Sequence, residues 1–169
     1  MHMYDLTVPQ LEHALRNLDG WLTRAVQHAE TKQVPHEQLL SARLAPDQYS
    51  FVRQVQTACD NAKLIPARLA GRQAPSHPDT EKTFDQLHAR IATVLEYLRT
   101  FTQDDVADPE RKIVLPWMTG DQHMIAKDYV LQFGLPNFYF HVVTGYAILR
   151  HEGVPLGKND FLGQIAIRP

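Results

Sequence analysis

A small set of side chains in this chain has the types and spacing to do chemistry. Gln56, Asp60 and Lys63 follow one another at i, i+4 and i+7 in a stretch with a helical period, so they share one helix face. His141 lies on the inward stripe of a later helical stretch with Phe138, Gly145 and Ile148. An imidazole, a carboxylate and an amide brought together can hold a divalent ion weakly. Without an ion, the same set makes His141 a general base that Asp60 orients. Gln56 and Tyr146 are the expected ligand-binding neighbours. The simpler reading is a buried histidine paired with a polar group of the second helix, because leaving it unpaired costs roughly 1–3 kcal/mol. Either way a partner for His141 is required.

Four helical stretches must position these residues. The first runs from about Thr7 to Thr31, with Thr7 as its cap and Leu11, Leu15, Leu18, Leu22, Ala25 and Ala29 as its seam. The second runs from Asp47 to Ala70 and stops at Gly71, and Pro66 should kink or split it. The third starts at Asp79 or Thr80 and reaches Phe101. The fourth runs from Asp128 to Glu152, bent at Pro136 and stopped by Gly153. A short helical turn is expected at 36–40. The long crossover before the fourth helix carries two short β-like runs, Ile113-Val114-Leu115 and Met124-Ile125-Ala126, read as a small hairpin. The tail from Val154 has no helical period and should pack as an extended strap. Residues 1–169 therefore read as one all-α domain, an antiparallel four-helix bundle with a short β-hairpin in the crossover between helices three and four.

Composition narrows the function classes. The chain has 169 residues, a formal net charge of −2 and 21% charged residues, which argues against a nucleic-acid or anionic-membrane surface. No apolar run approaches the roughly 20 residues of a membrane span. The one cysteine, Cys59, cannot form an internal disulfide, sits in an apolar helical pattern, and fits a cytoplasmic location. No basic stretch followed by an apolar run opens the chain, in keeping with that location. Nine histidines are many for this length and direct attention to a metal. Yet no HExxH, CxxC, Walker A or GxGxxG spacing occurs.

Several runs carry a resemblance. They are Met3-Tyr4-Asp5-Leu6-Thr7-Val8-Pro9, then Arg53-Gln54-Val55-Gln56 with Asp60 and Lys63, Leu135-Pro136-Asn137-Phe138-Tyr139-Phe140-His141, Tyr146-Ala147-Ile148-Leu149-Arg150-His151 and Phe161-Leu162-Gly163. Together they resemble domain-of-unknown-function family 1993, within the DinB/YfiT-like superfamily of metal-binding four-helix bundles. The resemblance implies a divalent ion (Zn, Ni or Fe) held by three histidines, one from helix two and two from helix four at i and i+4. It also implies a homodimer, and activities such as thiol-dependent transfer or isomerisation. Residue by residue, His141 matches the first helix-four ligand. Gly145 stands at i+4, and Gln54 or Gln56 near the helix-two position, so the implied triad is incomplete. Two functions follow. One is a small-molecule or degenerate metal site at the bundle centre, with His141, Asp60, Gln56 and Tyr146 around it. The other is a non-catalytic bundle, a homodimer whose ancestral metal site is lost.

Overall fold

The computed structural model describes residues 2–168. It is mostly helical, with α1 at Met3–Leu6, α2 at Val8–Lys32, α3 at His36–Ser41, α4 at Phe51–Ala70 and α5 at Phe84–Leu98. A 3-10 turn at Asp104–Val106 leads to a two-stranded antiparallel sheet, β1 at Lys112–Ile113 and β2 at Met124–Ile125. The last helical stretch comprises α6 at Ala126–Asp128, a π-helical turn at Tyr129–Gly134 and α7 at Leu135–His151. The short α8 at Lys158–Leu162 follows. No helix among the described residues is long and apolar enough to cross a membrane.

The four expected helices correspond to α2, α4, α5 and the α6-to-α7 stretch. Their apolar stripes are buried as the periodicity requires: Leu11, Leu15, Leu18 and Leu22 in α2; Phe51, Val55, Ala62 and Ile65 in α4; Phe84, Leu87, Ile91 and Val94 in α5. The long helices close a ring, with α2 against α5 and α7, and α4 against α5 and α7. Cys59 is fully buried in this core, and burial pushes its thiol up to about 12, so it is packing and no nucleophile.

Local differences from the sequence expectations have identifiable causes. Thr7 stands where α2 begins, but its hydroxyl donates back to the Met3 carbonyl at 2.8 Å; it closes α1 instead of capping α2. The second helix begins at Phe51, not Asp47, because the Phe51 amide is bonded to the Ala42 carbonyl at 2.8 Å and 45–48 form a separate turn. Pro66 does not split α4, which runs through it to Gly71 in the left-handed region. The third helix begins at Phe84, where the Thr83 hydroxyl accepts from the Gln86 amide at 3.2 Å. Asp79, one of the residues expected to cap it, is drawn away into ion pairs with Arg53 and Arg90. The hairpin forms, shorter than expected, in the register Lys112 to Ile125 and Ile113 to Met124.

The tail is a strap with a helical turn in it. α8 lies across α2, where the Trp21 indole donates to the Asp160 carbonyl and the Asn17 amide to the Phe161 carbonyl, both at 3.0 Å. Such a turn leaves no periodic signal because it is only five residues long.

Candidate functional site

His141 projects from α7 into the core and is 8% exposed. Its Nδ1 lies 2.7 Å from Oε1 of Gln54 on α4. An amide oxygen can only accept, so Nδ1 carries the proton and donates. The Gln54 Nε2 group in turn donates to the Tyr49 carbonyl at 3.2 Å, and the Tyr49 ring stacks on the imidazole at 16°. Burial, seconded by the charge of Arg53, holds the His141 imidazolium below its ordinary value, so the ring is neutral at neutral pH.

Gly145 tests whether the expected metal fits. A Cβ built there would meet the Phe51 ring at 3.7 Å and the Gln54 Cβ at 3.9 Å. Positions 54, 141 and 145 therefore converge, as a metal triad would need. The donors that converge are one imidazole and one amide oxygen, and the Phe51 ring lies at ordinary contact distance beside the empty Gly145 position. Among the described residues no three His, Cys, Asp or Glu side chains are grouped closely enough to share an ion. The residues present do not fit the metal that the resemblance implies.

The structure does not bring the other expected site residues to His141. Gln56 and Asp60 turn to the α5 side of α4 and belong to a second cluster, built around Arg90. Its guanidinium is 2% exposed and bonds Asp60 at 2.9 Å, Asp79 at 2.9 Å and Glu81 at 3.0 Å, together with the carbonyls of Pro78 and Gln56. Gln56 donates to Glu81 at 2.9 Å, and Arg53 pairs with Asp79. Lys63, also buried, bridges Asp60 at 2.6 Å and Nδ1 of His77 at 3.2 Å. Three cations, Arg53, Lys63 and Arg90, thus face three carboxylates, Asp60, Asp79 and Glu81. Burial pushes the Asp79 and Glu81 carboxyls up, but their hydrogen bonds outweigh it, and both end below the usual carboxylate range. A cleft of about 290 Å³ opens beside the cluster, walled by His77, Pro78, Glu81, Arg90 and Thr93.

Tyr146 lies in a third place. Its ring packs on Trp21 and Phe161, with centroids 5.3 and 5.5 Å away, and helps fasten the tail strap. The separation has a plain geometric cause. Gln54 and Gln56 are two residues apart on one helix, roughly 200° around its axis, so they cannot serve the same site.

Arg90, His77 and Glu81 were not among the expected site residues. One signal was present for Arg90: it falls on the apolar stripe of α5, between Leu87 and Val94 in steps of three and four. A charge at a core position demands partners. Nothing in their spacing marks His77, Asp79 and Glu81, because the loop that carries them is placed by long-range contacts.

The domain of unknown function DUF1993 matches the chain over residues 3–162. A crystal structure of a DinB family member protein from Shewanella denitrificans is 42% identical and superposes with a TM-score of 0.95. That match covers 99% of this chain and 95% of that one. Three chains of solved structures match. No curated protein matches.

Proposed function

Because the chain belongs to the DUF1993 family and shares the fold of a DinB family member, we propose that it is an antiparallel four-helix bundle that has exchanged metal chemistry for polar packing and works as a homodimeric interaction module. The observation that carries this reading is the donor set around His141: one amide oxygen, at Gln54, stands beside its imidazole, and Gly145, at the second helix-four position, has no side chain. The Gln54 oxygen accepts from Nδ1–H and leaves the Nε2 lone pair free, but among the described residues no three His, Cys, Asp or Glu side chains are grouped to share an ion with it.

Metal analysis of protein purified without a histidine tag tests it. Zinc, nickel and iron are expected well below one equivalent, both in the wild type and in His141→Ala. One tightly held equivalent in the wild type that is lost in the variant would overturn the reading. The variant should lose about 1–3 kcal/mol of stability, since the buried Gln54 oxygen is left without its donor. It should also flatten the pH dependence. The folded ring titrates below its ordinary value, so the unfolded chain binds the proton first. The stabilising contribution is complete above about pH 6.5 and drains as pH falls through that value toward the depressed folded one. Denaturation midpoints at pH 7.5 and 5.0 measure it.

The dimer rests on the outer side of α7. From Tyr129 to Leu149 there is no Asp, Glu, Lys or Arg. Phe140 is 55% and Val143 46% exposed, and Tyr49 stands exposed beside the His141 ring. A helix apolar all round is buried on both sides. A two-fold contact sets a patch against its own copy, and an uncharged patch meets no like charge there. Light scattering is expected to give a dimer for the wild type and a monomer for Phe140→Glu with Val143→Glu, at unchanged helicity. A monomeric wild type at tens of micromolar refutes it.

A further inference from the structure

The loop between α4 and α5 is fastened unevenly. Its second half is tied to α5 and α4 many times over: Asp79 and Glu81 pair with Arg90, Gln56 donates to Glu81, and Arg53 pairs with Asp79. Its beginning is tied by Arg72 to Asp105. Between these anchors, among the described residues, the side-chain hydrogen bond that fastens 73–77 to the helices is the one from Lys63 to His77, and Ala74 packs partly buried against the core. An ammonium has no lone pair and can only donate, so His77 must accept on Nδ1 and carry its proton on Nε2. Lys63 is 5% exposed beneath this stretch.

We infer that residues 73–77 form a proton-operated flap over Lys63: His77 latches it while its ring is neutral and releases it on protonation. The step is simple. One proton from solvent adds to Nδ1, the bond from the Lys63 ammonium is lost, and two cations are left facing each other at hydrogen-bond distance. The groups that face His77 are Lys63 and Asp60 from α4, Arg90 from α5 and Glu81 from its own loop. Their formal charges cancel, two against two, so an imidazolium brings one uncompensated positive charge. Burial first, then Lys63 and Arg90, hold the folded ring below its ordinary value, and hydrogen bonds and the arginines hold the Asp79 and Glu81 carboxyls below theirs. Between about pH 6.5 and the usual carboxylate range, acid therefore weakens the latch on 73–77 while the carboxylates that dock 78–83 are still ionised. Opening bares the Lys63 amine and removes the His77 wall of the 290 Å³ cleft.

Limited proteolysis of the full chain with a protease active from pH 7.5 to 5.0, read by mass spectrometry and normalised to a free peptide of residues 70–80, tests this. Below about pH 6.5 the open state takes up a proton that the closed state refuses, so cleavage within 73–77 should rise by up to tenfold per pH unit. His77→Gln keeps a neutral acceptor for Lys63 and should be cleaved slowly at every pH from 7.5 to 5.0. Equal acceleration in wild type and variant, or a flat wild type, would overturn the inference. Nitrogen NMR of the wild-type ring gives a check that needs no variant. At pH 7.5 the Nε2-protonated tautomer is expected, and an Nδ1-protonated or doubly protonated ring there refutes the latch.

Discussion

Arg90→Met is expected to destabilise the fold by about 3 kcal/mol, the lower end of what breaking a buried ion pair from one side costs. Methionine fills the aliphatic volume but removes the cation shared by three carboxylates, leaving Asp60 to Lys63, Asp79 to Arg53 and Glu81 to the Gln56 amide. Their side chains keep 31%, 28% and 13% exposure at Asp60, Asp79 and Glu81, so water relieves part of the penalty. Lysine will not substitute: one ammonium cannot span the separate directions that the planar fork serves. The pH profile supplies an independent readout. Asp79 and Glu81 titrate below their unfolded values, so their stabilising contribution is present above about pH 4.3 and is lost as pH falls through the depressed folded values. In Arg90→Met that acid limb should shrink. Urea titrations at pH 7 and pH 4 measure both effects, and a variant as stable as the wild type at pH 7 would show that the cluster is held by something other than Arg90.

Phe51→Ala is expected to cost about 3–5 kcal/mol, the range for emptying a fully buried aromatic site. Phe51 is 0% exposed, packs beside the Phe84 ring and lies against Gly145. Its removal opens a void next to the His141 and Gln54 pair, where a ligand imidazole would otherwise stand. The variant should therefore lose cooperativity as well as midpoint in chemical denaturation. A loss below about 1 kcal/mol would mean that the neighbouring helices collapse into the gap.

Much of this architecture is legible in the sequence. The unbroken three-and-four steps of α2 and α5 locate their buried faces, because burial is what such spacing encodes. Gly71 and Gly153 mark helix ends through backbone conformations that favour glycine. The start of α5 was not legible, since Asp79 and Thr80 are sound local caps; Asp79 is outcompeted by pairing with arginines far along the chain. The candidate site was legible only in part. His141 points inward as expected and has a polar partner on α4, but that partner is Gln54. Gln56 and Asp60 answer to Arg90, and Tyr146 to the tail. Sharing a helix says nothing about sharing a neighbour when the helix packs on several elements at once.

The π-helical turn at Tyr129–Gly134 lies just ahead of Pro136, and a Cβ at Gly134 would press Ile65 at 3.2 Å. A wider turn holds one residue more than an α-turn does. Downstream positions are thus rotated by roughly 100° against an uninterrupted helix. A helical wheel drawn from Ala126 through Leu149 therefore loses phase partway along, and the imidazole owes its inward aim to that slip. Wound as an α-helix with no residue removed, the rod would bring the Phe140 side toward the core and carry the imidazole away from its amide, whereas deleting one residue from the turn would leave that aim unchanged.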